Sequence, residues 1–230
     1  MILESSSLVL AGAWNTAILS PDWIARQVLN QEQGQPVSVL VAFPLGFGMP
    51  PSFRLEGVVY QIFPDRVTLA PPTWADESLN QVEQLAIGIA GKLPYTPLVG
   101  VGQNFDLVLE DPDVQLAAKF AVDDAIATEL DETPSVIATK IVKSFRFDGC
   151  ILNLTQALSA EGHMQLKFNF HYDIKLAGEI GTVLTGESFR QNKTRALEVL
   201  RKVFDTNASD ITETANNEHQ LPTPTAQQPG

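Results

Sequence analysis

The stretch HMQLKFNFHYDIK, His163 to Lys175, decides the fold class. Met164, Leu166, Phe168, Phe170, Tyr172 and Ile174 fill its even positions, and every odd position from His163 to Lys175 is polar. Successive side chains of a strand point to opposite faces, so the pattern predicts one long β-strand with an apolar face and a polar face. Two of the three histidines, His163 and His171, fall on the polar face.

Moving outward, CILNLTQAL (150–158) alternates in the same way. VIATKIVKSFRF (136–147) precedes it across Asp148-Gly149, a two-residue hairpin signal. Ala160-Glu161-Gly162 supplies the next turn. The three strands therefore read as an antiparallel meander. Ile137, Ile141, Phe145 and Phe147 are expected to share a buried face with Cys150, Leu152, Leu154, Leu158 and the even residues of the opening stretch. Such a sheet needs a covering element to be stable. ESFRQNKTRALEVLRKVF (187–204) has Phe189, Ala196, Leu197, Leu200, Val203 and Phe204 on one helical side, and is expected to lie across that face.

The N-terminal part is more irregular. SLVLAGA (7–13) and VSVLVAF (37–43) read as strands. Between them Ser20-Pro21-Asp22-Trp23 is a helix start, with Ser20 as N-cap and Pro21 at the first helical position. FRLEGVVYQIF (53–63) and RVTLA (66–70) read as a hairpin around Pro64-Asp65. Thr73 to Asp76 resembles a capping box before a helix carrying Leu79, Val82, Ala86 and Ile89, which Gly91 and Pro94 end. TPLVGVGQNFDLVLE (96–110) returns as a long strand. An alanine-rich helical signal starts at Asp111-Pro112, and the Pro/Thr/Gln-rich tail lacks periodicity.

The expected fold is α+β. An acidic part (1–110) has an antiparallel or mixed sheet backed by two helices. A helical connector (111–132), a three-stranded antiparallel meander packed on a long C-terminal helix (133–204) and a disordered tail (205–230) follow.

Charge follows the same division. Residues 1–132 hold 5 Lys+Arg against 17 Asp+Glu, and residues 133–204 hold 10 against 6. Opposite signs suit attraction between the two parts, or separate partners for each. The single cysteine, Cys150, excludes an intrachain disulfide and cysteine-cluster metal sites, and favours a reducing cytoplasm. No apolar run reaches membrane-span length, and the first residues lack the basic region of a signal peptide.

No catalytic motif is legible: there is no G-x-S-x-G elbow, no P-loop and no dinucleotide fingerprint. Gly100 and Gly102 sit inside a strand pattern and read as bulges or points of close backbone approach. No catalytic residue, metal site or cofactor is assigned. The leading expectation is a non-catalytic, cytoplasmic protein-interaction or assembly component that binds a protein partner or a second copy, away from membranes. Its candidate contact residues are Phe43, Leu45, Phe47 and Met49 of an apolar Gly/Pro-rich loop, His171 and Asp173 on the polar strand face, and Arg190 and Lys193 on the last helix. The alternative is a small enzyme or ligand-binding domain with a site between the two parts near His171 and Asp173, spaced at i and i+2 on one strand face. Nucleic-acid binding through the basic residues of 133–204 ranks third. The overall acidity and the core parity of the aromatics speak against it.

Overall fold

A computed structural model describes residues 1–42, 52–109, 112, 116, 138–147, 149–159, 162–205 and 211–213. The chain runs β1 (Ile2–Gly12), α1 (Pro21–Trp23) continued by a π-helical turn (Ile24–Val28), β2 (Leu40–Ala42), β3 (Ser52–Leu55), β4 (Val58–Phe63), β5 (Arg66–Ala70), α2 (Asp76–Lys92) and β6 (Leu98–Leu109). It continues with β7 (Ala138–Phe147), β8 (Cys150–Ser159), β9 (Met164–Tyr172), a 3-10 turn (Ala177–Thr182), α3 (Ser188–Phe204) and β10 (Thr212–Glu213). The fold is α+β, with the meander and the long C-terminal helix that the alternation required.

The strands make one sheet in the order β2-β3-β4-β5-β1-β6-β9-β8-β7. Every neighbouring pair is antiparallel, and β10 joins β1 in parallel. The meander is thus continuous with the N-terminal sheet: β6 pairs with β9 from Val101 opposite Tyr172 to Leu109 opposite Met164. Of the expected connector 111–132, only Pro112 and Leu116 are among the described residues.

One face of the sheet is the core. Phe105, Phe168 and Phe170 of the central strands are fully buried, as is Phe189 of α3. Phe105 sits at the middle of a ring cluster, with centroids 5.3 Å from Phe189, 6.0 Å from Trp74 and 6.2 Å from Phe170. The first helix starts as its sequence dictates. Ser20 Oγ accepts a hydrogen bond from Trp23 N at 3.2 Å, and Pro21 follows it.

Four local expectations are corrected. The run FRLEGVVYQIF is a hairpin: Leu55 faces Val58 across Glu56 (φ 50°) and Gly57 (φ 81°). Two successive positive φ values are the geometry that suits the twist of paired strands, and Asn-Gly is its usual sequence. Glu-Gly hides the signal. Glu56→Asn is accordingly expected to raise stability by about 0.5 kcal/mol, read from the midpoint of a urea titration.

The capping box at Thr73 does not form. α2 begins at Asp76, its N-cap Ala75 lacks a side-chain bond, and Thr73 Oγ1 contacts Ser78 Oγ at 2.9 Å. Within the segment expected to be disordered, Thr212–Glu213 pairs with β1, and Glu213 Oε1 accepts from Trp74 N at 3.0 Å.

The largest correction concerns β7. Ile141 is only half-buried, and Phe145 and Phe147 keep 43% and 44% of their surface exposed. The reason is width. A helix with its side chains spans about 10 Å and strands repeat about every 4.8 Å, so two helices side by side cover about four strands. α2 and α3 cover the centre of the sheet, and β7 is its last strand.

Candidate functional site

Among the described residues, the sheet face opposite the helices carries an organised polar surface. Its central rung crosses five strands. Ser144 Oγ donates to Asn153 Oδ1 (2.7 Å), Asn153 Nδ2 to Asn169 Oδ1 (3.1 Å), Asn169 Nδ2 to Asn104 Oδ1 (2.7 Å) and Asn104 Nδ2 to Ser7 Oγ (3.2 Å). The amides all point the same way, so each oxygen accepts and each nitrogen donates. The next rung holds Lys167 Nζ at 3.3 Å from Asp106 Oδ2, which also accepts from Ser5 Oγ. Asn104 and Asn169, each followed by a phenylalanine in sequence, are direct cross-strand partners.

His171 and Asp173 lie on this face, with His171 Nε2 3.0 Å from Asp173 Oδ1. The imidazole keeps 33% of its side-chain surface exposed and the carboxylate 77%. The histidine ring occupies the space that Gly100 leaves: a β-carbon at Gly100 would stand 2.4 Å from His171 Cε1 and 3.0 Å from Tyr172 O. The glycine is therefore the seat of the ring, which explains a glycine inside a strand. Gly100→Ala is expected to displace the ring and to cost about 1–2 kcal/mol. In a His171→Ala background the cost should shrink, leaving only the contact with the Tyr172 carbonyl. A double-mutant cycle by urea denaturation checks this, and additive costs would contradict it.

On the opposite side of the sheet, two buried polar networks centre on Glu83 and Asn192. Glu83, fully buried on α2, accepts from Gly186 N (2.8 Å), Ser188 N (3.2 Å), Ser188 Oγ (2.6 Å) and Phe189 N (2.8 Å). It satisfies the first backbone amides of α3, whose own N-cap Glu187 provides no side-chain bond. Asn192 Nδ2 lies 2.6 Å from both Gln103 Oε1 and Tyr172 Oη, while Asn192 Oδ1 accepts from Arg195 Nη1 at 3.1 Å. Burial raises the Tyr172 phenol above the ordinary tyrosine range, and the Asn192 bond offsets part of that. Asn192 belongs to a glycosylation-pattern triplet, but a fully buried amide is no acceptor for a glycan.

The candidate contact residues do not gather on one surface. His171 and Asp173 are on the open face. Arg190 and Lys193 are on α3, across the sheet, with Arg190 paired to Glu187 at 2.8 Å and Lys193 to Asp76 at 2.5 Å. Phe43, Leu45, Phe47 and Met49 lie outside the described residues. The described residues line clefts on the surface. One of about 840 Å³ is lined by Ser20, Trp23 and Arg26 among others, and one of about 430 Å³ by Asp76, Arg190, Gln191, Thr194 and Arg195. Neither is lined by His171 or Asp173. Among the described residues no group of three His, Cys, Asp or Glu side chains is placed to hold a metal ion, and no helix is long and apolar enough to cross a membrane.

What sequence reading missed is the exposure of β7, a strand whose odd side it placed in the core. β7 is a ten-residue strand in unbroken register with β8, from Ala138 opposite Ser159 to Phe147 opposite Cys150. Among the described residues nothing pairs with its outer edge. Val142 (57% exposed), Phe145 and Phe147 stand open beside Lys140, Lys143 and Arg146. The available signal was the even spread of Lys and Arg through ATKIVKSFRF, which is common in edge strands. No family model matches this sequence, and neither does any curated protein.

Proposed function

We propose that the protein is a non-catalytic interaction or assembly component whose contact element is the outer edge of β7. The observation that carries this reading is a long, regular edge strand with exposed Val142, Phe145 and Phe147. Proteins usually shorten, bulge or cover such edges, because unpaired backbone groups recruit further strands. Among the described residues β7 has none of these protections apart from its charges. Strand addition gives affinity through main-chain hydrogen bonds and specificity through alternate side chains. The lone buried thiol of Cys150 suits a cytoplasmic setting for this role.

Site-specific photo-crosslinking tests the reading. A benzophenone side chain in place of Phe145 should yield a discrete crosslinked product in living cells, with another protein or with a second copy. The same group in place of Val59, half-buried on β4, should yield none. Equal, diffuse labelling at both positions would overturn the proposal.

The bonded pair of His171 and Asp173 supports a second reading, a ligand-binding or catalytic site on the open face. Its test is a small-molecule screen by thermal shift, with His171→Ala as the control that should abolish any hit.

A further inference from the structure

Ala138–Phe147 contains three cationic side chains, Lys140, Lys143 and Arg146, and no acidic one. All three are exposed. No ion pair within the sheet neutralises any of them among the described residues, and their neighbours on β8 are Ala157, Leu154 and Ile151. This basic strand edges a protein of formal net charge −12. We infer that the β7 edge receives an extended, acid-rich segment of another protein as an additional strand. This rests on the edge reading above and adds the chemistry of the partner.

The charges decide between occupants. Two copies of β7 paired antiparallel about Lys143 would set cation opposite cation at all three charged positions, each opposed pair within a Debye length and with no acid between, which disfavours a second copy. An acidic strand turns the same three charges into cross-strand attractions. The cations that keep copies apart thus select the partner.

Register then specifies a pattern. Directly opposed residues of paired strands share a face. Acids belong opposite Lys140, Lys143 and Arg146, so they recur at every third position of the partner. Lys140 and Arg146 lie on the open face, and Lys143 lies on the helix face beside Phe145. Between the acids, an apolar residue meets Ile141, a β-branched one meets Val142, a hydroxyl residue meets Ser144 and an aromatic one meets Phe145. For antiparallel addition the partner reads Glu-Phe-Thr-Glu-Val-Ile-Glu.

The test uses this peptide with a terminal fluorophore, titrated into the full chain and followed by anisotropy. Binding should weaken as salt rises, and roughly tenfold on Lys143→Glu, an exposed substitution whose folding circular dichroism checks. Two N-methylated peptides give the signature of strand addition. Methylating the alternate amides that face β7 should abolish binding, and methylating the other set should leave it unchanged. A peptide with glutamine for every glutamate that binds as well as the parent overturns the acid requirement. N-methylated peptides that lose equally, or no binding by the parent peptide, overturn strand addition by an acidic segment. A dimer in sedimentation that Lys143→Glu alters would assign the edge to a second copy and also overturn the inference. Crosslinking at position 145 with a failed peptide would sink this inference alone, whereas absent crosslinking would sink the edge reading itself.

Discussion

Phe105→Ala should remove about 4 kcal/mol of folding stability, the loss typical of a buried aromatic truncated in a rigid core. Phe105 is fully buried on β6, at the centre of the ring cluster with Trp74, Phe170 and Phe189. It is where the central sheet, the approach to α2 and the start of α3 meet, so no single neighbour can move in to fill the space. For a chain of this size the loss corresponds to a fall of about 8–16 °C in the melting temperature. Phe145→Ala is the informative control. It removes the same side chain from the same face of the same sheet, but at 43% exposure on the edge strand. Its cost should stay below about 1 kcal/mol. Urea denaturation followed by circular dichroism checks both, and similar losses would mean that β7 is covered as the centre is.

Glu83→Ala is the second substitution with a large expected cost, about 3 kcal/mol or more. The carboxylate accepts three backbone amides and one hydroxyl at the start of α3, and alanine would strip the three amides of this acceptor while the Ser188 hydroxyl keeps Val183 O at 3.2 Å. Glu83→Gln keeps one acceptor oxygen and replaces the other with a donor, so its loss should be intermediate. Amide hydrogen exchange localises the effect: Gly186, Ser188 and Phe189 should lose protection before the centre of α3 does. A variant that keeps wild-type stability would show that α3 finds its N-terminal partners elsewhere.

Both residues illustrate how much could be read beforehand. Phe105 alternates with Gln103 and Leu107 on a strand parity that marks it as core in the sequence alone. Glu83 sits four residues after Leu79, on the apolar stripe of α2. That position is a warning sign, but the sequence cannot show that a helix start more than 100 residues later supplies its donors. The Asn ladder is similar. Asn104, Asn153 and Asn169 are visible on polar parities, yet only the register of β6, β8 and β9 makes them adjacent. Arg190, Lys193, His171 and Asp173 share charge or polarity in the sequence, and the sheet separates them into two layers.

By itself, the sequence determined the elements whose information is local. The alternation in His163–Lys175 made a strand and chose its buried face, Gly149 marked a hairpin, and the stripe on 188–204 made a covering helix. Periodicity reports which way a side chain points, because the backbone geometry of a strand or helix fixes it. The tertiary structure alone decided what stands in that direction. It joined β6 to β9 in one sheet, laid His171 over Gly100 and placed Glu83 under α3. It also left Phe145 and Phe147 beyond the reach of α2 and α3. Burial depends on the width of the covering layer and the order of the strands, and neither is written in the period of any one segment.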